Sequence, residues 1–308
     1  MWKPLGAACA LIALASLPAR AEAPKVVASI QPLHSLAAAV MKGAGTPELL
    51  VSGSRSEHTF SLKPSDARKL AAAHLVVLVD EHYEAFMAKP LAGMKGKAEI
   101  VAMADLPGMT VLAPRQGGVW EPEHGDHDHD HHRDHGAMDG HLWLDPANAK
   151  VLVTALAAKL AALDPTNAPL YAANATEIAA RLDALDLELR ARLAPVAGKP
   201  YVVFHDAYQY FEARYGLAAA GSITVDPDRP PSARRMASLR DRLKQGGAAC
   251  VFREPQFPAK TAEALASAAG AGIGSLDPQG ASIPPGPDLY FRLMTGLADG
   301  LTGCLAGR

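Results

Sequence analysis

The sequence predicts an α/β protein of two similar lobes, each built on a parallel sheet, with one long stiff helix between them. Short apolar runs alternate along the chain with amphipathic, helix-like stretches, and strands that alternate with helices imply βαβ units and parallel sheets. Four apolar runs fall in each half of the chain, which predicts two lobes of the same design. Between the halves lies a long stretch rich in Ala, Leu, Glu and Arg, which predicts the joining helix.

The apolar runs and the stretches between them give the expected order of elements. The expected strands are Lys25–Ile30, Glu48–Val51, Leu75–Val79 and Glu99–Ala102 in the first half, and Tyr201–Phe204, Leu217–Val225, Ala248–Phe252 and Ala271–Leu276 in the second. The expected helices between them are Leu33–Met41, Ser65–Ala73, Glu84–Leu91, Tyr208–Tyr215, Ser232–Lys244, Thr261–Ala269 and Leu289–Leu301.

The joining helix is predicted from Ala168 to Leu193, about 26 residues with no Gly and no Pro after Pro169. At 1.5 Å per residue this is a rod of roughly 40 Å. The apolar stretch Asn148–Leu163 before it is expected to close the first lobe. The chain therefore divides into a first lobe of residues 22–163, a linking helix of residues 164–197 and a second lobe of residues 198–308.

The first 21 residues have the pattern of a secretory signal peptide. Lys3 gives a positive start, Leu5–Leu17 is apolar and uncharged, and Ala19-Arg20-Ala21 fits the small-x-small cleavage rule. The apolar run is shorter than the roughly 20 residues that span a bilayer, which argues against the alternative of a membrane anchor. The mature chain is therefore expected to be exported.

Composition argues against two classes of partner and predicts one covalent bond. Removing Lys3 and Arg20 lowers the 30 basic residues to 28, against 32 acidic ones, so neither nucleic acid nor an anionic membrane is an expected partner. Two cysteines then remain, Cys250 and Cys304. An exported protein meets an oxidising compartment, where such a pair favours a disulfide over two buried free thiols.

A low-complexity segment, residues 114–140, interrupts the α/β pattern and is called the His-rich loop below. It has too few apolar residues to order itself by burial. A merely solvated charge run is the alternative, but so many imidazoles among acids are typical of metal binding. Its expected weak, secondary metal ligands are His124, His127, His129, His131, His132 and His135.

Four other residues are candidates for one tight metal site. His58 follows a predicted strand and a flexible segment, His141 precedes a predicted helix, and His205 and Asp277 each directly follow a predicted strand. Ligands of parallel α/β sheets bind beyond the carboxyl ends of strands, so these side chains are expected to converge in the cleft between the lobes. Three neutral imidazoles and a carboxylate suit Zn²⁺, although imidazole-rich sites also accept Cu²⁺ and Ni²⁺.

Six segments also carry a resemblance to a known family. They run in order across nearly the whole mature chain: Ser-Ile-Gln-Pro-Leu-His (29–34), Glu-His-Thr-Phe-Ser-Leu-Lys-Pro-Ser-Asp (57–66), His-Leu-Trp-Leu-Asp-Pro (141–146), Phe-His-Asp-Ala-Tyr (204–208), Phe-Arg-Glu-Pro-Gln-Phe (252–257) and Ser-Leu-Asp-Pro (275–278). In these segments the chain resembles the cluster A-I metal receptors of ABC importers, specifically their zinc-specific, ZnuA-like branch.

The resemblance implies a fold, a ligand set and partners. The fold would be two (β/α)4 lobes joined by a long backbone helix, with metal between them. The ligands would be His58, His141 and His205, with Asp277, Glu57 or water as the fourth. The partner would be an ABC permease of the inner membrane with its cytoplasmic ATPase. We also expect a monomer, and we name an accessory periplasmic zinc chaperone as a further candidate partner.

The resemblance also supports the Cys250–Cys304 disulfide, which would tie the third strand of the second lobe to the terminal helix. The expected function is a high-affinity zinc receptor that captures Zn²⁺ in the periplasm and delivers it to the permease. A periplasmic zinc buffer without a transporter is one alternative. A zinc hydrolase is another, because three His and a water also describe a hydrolytic site; we expect no enzyme, since the sequence shows no obvious general base.

Overall fold

The computed structural model describes residues 22–115, 120, 138–225, 227, 230–246 and 249–307. Two four-stranded parallel sheets, one in each half of the chain, form the framework, as the alternating pattern predicts. The predicted signal peptide and the six histidines of the His-rich loop lie outside the described residues.

All eight predicted strands are present, and the two sheets have the same topology. The first sheet has the order β2-β1-β3-β4 and the second has the order β6-β5-β7-β8. Parallel sheets covered on both faces favour continuous apolar strands, and the fully buried runs of β1 and β3 have this character. The strands are β1 (Val26–Ala28), β2 (Glu48–Leu49), β3 (Leu75–Leu78), β4 (Glu99–Ala102), β5 (Pro200–His205), β6 (Ala218–Thr224), β7 (Cys250–Arg253) and β8 (Gly272–Ser275).

The helices also follow the predicted order, with one difference. The stretch predicted as one helix from Glu84 to Leu91 is a 3-10 turn, Ala85–Met87, followed by a helix that starts at Ala88. Pro90 lies in the first turn of that helix, where a missing N–H is tolerated. The helices are α1 (Gln31–Val40), α2 (Pro64–Ala71), α3 (Ala88–Met94), α4 (Pro146–Leu163), α5 (Ala168–Leu193), α6 (Gln209–Tyr215), α7 (Ala233–Gly246), α8 (Lys260–Ala269) and α9 (Leu289–Leu305).

Helix α5 is the predicted rod, and its 26 residues extend over roughly 40 Å. Its buried face packs against α4 and α1 of the first lobe and against α9 of the second. Within the described residues, α4 is the one helix long and apolar enough to cross a membrane by composition. Its side chains Leu152, Val153, Leu156 and Leu160 are fully buried in the core, which is the behaviour of a core helix.

The terminal helix α9 returns from the second lobe to the first. The backbone N–H of Tyr290 donates to Ser35 Oγ of α1 at 2.9 Å, and the Tyr290 hydroxyl donates to the carbonyl of Trp143 at 2.8 Å. The predicted disulfide is confirmed: Cys250 of β7 is bonded to Cys304 of α9. The two lobes therefore share buried contacts in addition to the joining helix.

Candidate metal centre

The three predicted imidazoles meet in one group between the lobes. One ring nitrogen of each of His58, His141 and His205 lies within 4.8 Å of the other two. The Nε2 atoms of His141 and His205 are 3.2 Å apart. Both of these rings are buried, and the His58 side chain is 19% exposed. The group thus has the composition and the compactness of a site for one divalent cation.

Local structure explains how each imidazole reaches this point. His205 is the last residue of β5. This strand is the first of the second sheet in chain order, and it lies between β6 and β7. His141 immediately precedes a 3-10 turn and α4, whose first turn is capped by Asp145 accepting from Ala147 N at 2.8 Å. His58 lies in the segment between β2 and α2. Residues 52–63 of that segment are called the strap below.

Buried carboxylates orient two of the three rings. Asp139 Oδ1 lies 2.7 Å from His141 Nδ1, and Glu254 Oε2 lies 2.7 Å from His205 Nδ1. A carboxylate on Nδ1 fixes the ring and leaves Nε2 for a metal. Burial alone would lower the pKa of His205, but the adjacent Glu254 carboxylate, together with Glu57 and Asp206, outweighs burial and raises the pKa.

The carboxylate of Glu57 lies beside the imidazole group. Glu57 Oε1 is 3.7 Å from His58 Nε2 and accepts a hydrogen bond of 2.8 Å from the Tyr83 hydroxyl. The side-chain amide of Gln279 donates to the other oxygen, Oε2. Burial alone would raise the pKa of Glu57, but His58 and His141 outweigh it, so the pKa is lowered. The Glu57 carboxylate is therefore buried at the edge of the centre, and its lowered pKa favours the ionised form.

Asp277 is not brought into the group of three imidazoles. Its Oδ1 atom accepts from the backbone N–H of Gly280 and from the side-chain amide of Gln256, each at 2.9 Å. An aspartate that binds backbone groups two or three residues ahead stabilises a tight turn. Gly280 has a φ of +71°, which this turn requires and which glycine adopts without strain.

Three further histidines, His34, His74 and His82, lie away from the centre. His34 is buried with Nε2 at 3.0 Å from the Pro47 carbonyl, and His74 Nδ1 accepts from Lys25 N at 2.9 Å. The side chain of His82 is 88% exposed. These contacts fit local structural roles.

Open space borders the strap on two sides. A cleft of about 710 Å³ lies on the side of Glu57, His58 and Tyr83, and Lys89 is part of its wall. A second cavity of about 380 Å³ separates the strap from Phe257 of the second lobe. The first cleft reaches the imidazole group at His58.

Sequence reasoning missed four residues whose side chains contact the candidate ligands: Tyr83, Asp139, Glu254 and Gln279. Glu254 had a detectable signal, because it directly follows β7 at the same sheet edge as His205. Asp139 precedes His141 by two residues, but it belongs to the His-rich loop, where it could not be distinguished from the many other acidic residues. For Tyr83 and Gln279 nothing in the sequence indicates the contact with Glu57.

Comparisons with known proteins show the family to which the chain belongs and agree with its fold. A family model described as zinc-uptake complex component A, periplasmic, matches residues 26–304. The high-affinity zinc uptake system protein ZnuA of Brucella suis biovar 1 (strain 1330) is 42% identical over 309 residues, 91% of each chain. The protein of the same name from Yersinia pestis is 37% identical over 289 residues, again 91% of each chain.

Solved structures give the same result at lower identity. A crystal structure of ZnuA superposes with a TM-score of 0.74 at 27% identity and covers 91% of this chain and 99% of that chain. The periplasmic zinc-binding protein TroA from Treponema pallidum has a TM-score of 0.77 at 21% identity, over 92% of this chain and 99% of that one; this likeness shows the fold. The family model spans nearly the whole described chain, and the chain belongs to the family of periplasmic A components of zinc-uptake complexes.

Proposed function

We propose that this protein is a high-affinity receptor that captures Zn²⁺ in the periplasm and delivers it to an ABC-type importer. The observation that carries the proposal is the buried group of His58, His141 and His205, whose ring nitrogens lie close enough to bind one ion. Relatives covering 91% of the chain are named as high-affinity zinc uptake proteins, which supports zinc as the cargo.

The choice of Zn²⁺ over other cations also has a chemical basis. Three neutral imidazoles and one carboxylate are a common tetrahedral ligand set for Zn²⁺. By affinity alone such a set would favour Cu²⁺, so selectivity must come from the fixed geometry of the rings. Asp139 and Glu254 provide this by holding His141 and His205 at Nδ1. The selectivity for Zn²⁺ is measured by competition of Zn²⁺ against Cu²⁺, Ni²⁺, Co²⁺ and Mn²⁺.

For the fourth position we propose Glu57, with Asp277 and water as the alternatives. The Glu57 carboxylate is buried, anionic and 3.7 Å from His58 Nε2. Asp277 is engaged by donors of its own turn and by Gln256, so it would have to leave those bonds to reach an ion. Removing each carboxylate in turn, as Glu57→Gln and Asp277→Asn, distinguishes the three.

The partners and the location follow from the family. Proteins of this family are periplasmic components of zinc uptake systems and work with a permease and an ATPase. We propose the same for this chain: export by the signal peptide of residues 1–21, a monomeric receptor in the periplasm, and delivery to an inner-membrane permease. An accessory zinc chaperone would supply it. We propose binding and release as its entire role, without catalysis.

The proposal is tested by titrating Zn²⁺ against a chelator with the wild type and with His58→Ala, His141→Ala and His205→Ala. Each substitution should weaken binding more than tenfold, because losing a ligand should exceed the 10–100-fold typical of an orienting partner. Wild-type affinity in all three variants would contradict the site. Normal zinc uptake in a deletion strain would favour a buffer, and turnover by the zinc-loaded protein would favour a hydrolase.

A further inference from the structure

The turn of residues 277–280, which follows β8 in the second lobe, is held rigidly by its own bonds. Asp277 Oδ1 accepts from Gly280 N at 2.9 Å and from Gln256 Nε2 at 2.9 Å. A Cβ on Gly280 would lie 3.2 Å from Leu289 Cδ2 of α9, so the turn also packs closely on that helix. Gln279, at the centre of the turn, is 1% exposed.

The first lobe holds the same turn through two of its buried side chains. Gln31, in the first turn of α1, donates to the carbonyls of Gln279 at 3.1 Å and Gly280 at 2.8 Å. The Trp143 indole N–H donates to the Pro278 carbonyl at 2.8 Å. Gln31 also accepts from Gly53 N of the strap at 2.9 Å. Through Gln31 the turn is therefore linked to Gly53 at the start of the strap, and through Trp143 it is linked to the segment that carries His141.

The side chain of Gln279 uses this fixed position to reach the metal centre. Its amide donates to Glu57 Oε2, while the Tyr83 hydroxyl donates to Oε1 at 2.8 Å. One donor comes from each lobe, and together they set the orientation of the carboxylate. Both donors are uncharged, so they orient the carboxylate without cancelling the negative charge that a cation would meet.

From this geometry we propose that Gln279 is a positioning residue for zinc capture, which acts through Glu57. This inference rests on the proposed function. It adds to the candidate site a residue of the second lobe that acts on the carboxylate of Glu57 and not on an imidazole. The hydrogen bond from Gln279 to Glu57 crosses between the lobes. It therefore forms only when the strap and the turn are correctly positioned relative to each other. Losing it would let the Glu57 carboxylate rotate away and would shorten the lifetime of bound zinc.

The test is a double-mutant cycle built on Gln279→Met, which keeps the volume of the side chain and removes its donor. Zinc release to excess chelator should be about tenfold faster, at the lower end of the range for orienting partners. In the Glu57→Gln background, Gln279→Met should change release less than twofold, because the carboxylate on which it acts is gone. Tyr83→Phe, which removes the donor to the other oxygen, should behave in the same way.

The matched control is Gln209→Met, because Gln209 donates across the lobes to the Ala113 carbonyl at 3.2 Å and does not reach Glu57. It should release zinc like the wild type. Equal effects of Gln279→Met with and without Glu57, or none in either background, would overturn the inference. If His141→Ala also kept wild-type zinc affinity, the proposed function itself would fail. A loss confined to His141→Ala would reject only the role of Gln279.

Discussion

At the residue scale, the rings of His141 and His205 each have a carboxylate behind them that is buried with the ring. Such a carboxylate fixes the tautomer and makes the imidazole a better ligand. We expect Asp139→Asn and Glu254→Gln each to weaken zinc binding about 10–100-fold. Chelator competition measures the change. The control is Glu263→Gln, since Glu263 is half-exposed and pairs only loosely with Arg253 at 3.5 Å.

The contrast between predicted and missed residues has a physical cause. His58, His141 and His205 could be predicted because each lies near a recognisable strand end or helix start. In a parallel sheet such positions lie at the same edge, where ligands bind. Asp277 has the same kind of address, yet its side chain turns toward backbone N–H groups nearby. Gln279 could not be predicted, because its contact with Glu57 depends on how the two lobes pack.

A second residue-scale prediction concerns Glu84, a fully buried side chain that binds the backbone just beyond the end of β3. Its Oε2 accepts from Val79 N at 2.6 Å, and burial raises its pKa to about 8. The unfolded chain loses this proton near pH 4.5, so the folded state holds an extra proton between the two values. Stability should therefore fall as pH rises through this window, by about 1.4 kcal/mol per pH unit for one proton.

Glu84→Gln reproduces the neutral form and should remove this fall. The variant should unfold like the wild type near pH 5 and should be more stable than the wild type above pH 8. Urea unfolding of the metal-free proteins across that range measures the difference. Glu177→Gln on the exposed face of α5 is the control. An unchanged pH slope in Glu84→Gln would show that Glu84 is ionised in the folded protein.

At the element scale, hydrogen bonds of described residues hold the two ends of the His-rich loop. Asp139 N donates to the Leu112 carbonyl at 2.8 Å, and the Tyr210 hydroxyl donates to the Asp139 carbonyl at 2.7 Å. Replacing residues 116–137 by a short Gly/Ser linker should therefore leave His141 in place. We predict fewer bound zinc ions per chain and an unchanged affinity at the tight site.

The removed ions should be those that bind weakly and only above about pH 6, because imidazole ligands must be neutral. Calorimetric titration of the two proteins at pH 7.5 and pH 5.5 separates the classes. The prediction fails if the shortened protein keeps the full stoichiometry, or if it loses the tight site.

Elements were easier to predict than their ends. Each strand could be recognised because its apolar run is short and lies between turn residues, which favours a strand over a buried helix. The stretch Glu84–Leu91 was less regular, because Glu84 binds the end of β3 and a 3-10 turn precedes α3. Local sequence gives no sign of that contact.

At the scale of the whole molecule, the lobes are joined too firmly for a wide hinge. Helix α5 runs for 26 residues between them, and α9 adds buried bonds from Tyr290 to Ser35 and Trp143. The strap, in contrast, has open space on two sides. Zinc release should therefore move the strap with Glu57 and His58 and should leave the lobes nearly fixed.

Crystal structures and solution scattering of the metal-free and zinc-loaded protein measure this motion. We predict a shift concentrated in residues 52–60, with little change in the radius of gyration. A lobe rotation of tens of degrees, as in hinge-closing receptors, is the contradicting result. Locking the strap should slow release if the account is correct.

The central claim is that one Zn²⁺ is held between the lobes by His58, His141 and His205. Anomalous diffraction at the zinc edge, from crystals of the protein loaded with one equivalent of zinc, tests it most directly. The account predicts a single strong peak about 2.0–2.1 Å from one nitrogen of each of the three imidazoles. A principal peak elsewhere in the molecule, or one that lacks any of these three rings, would contradict it.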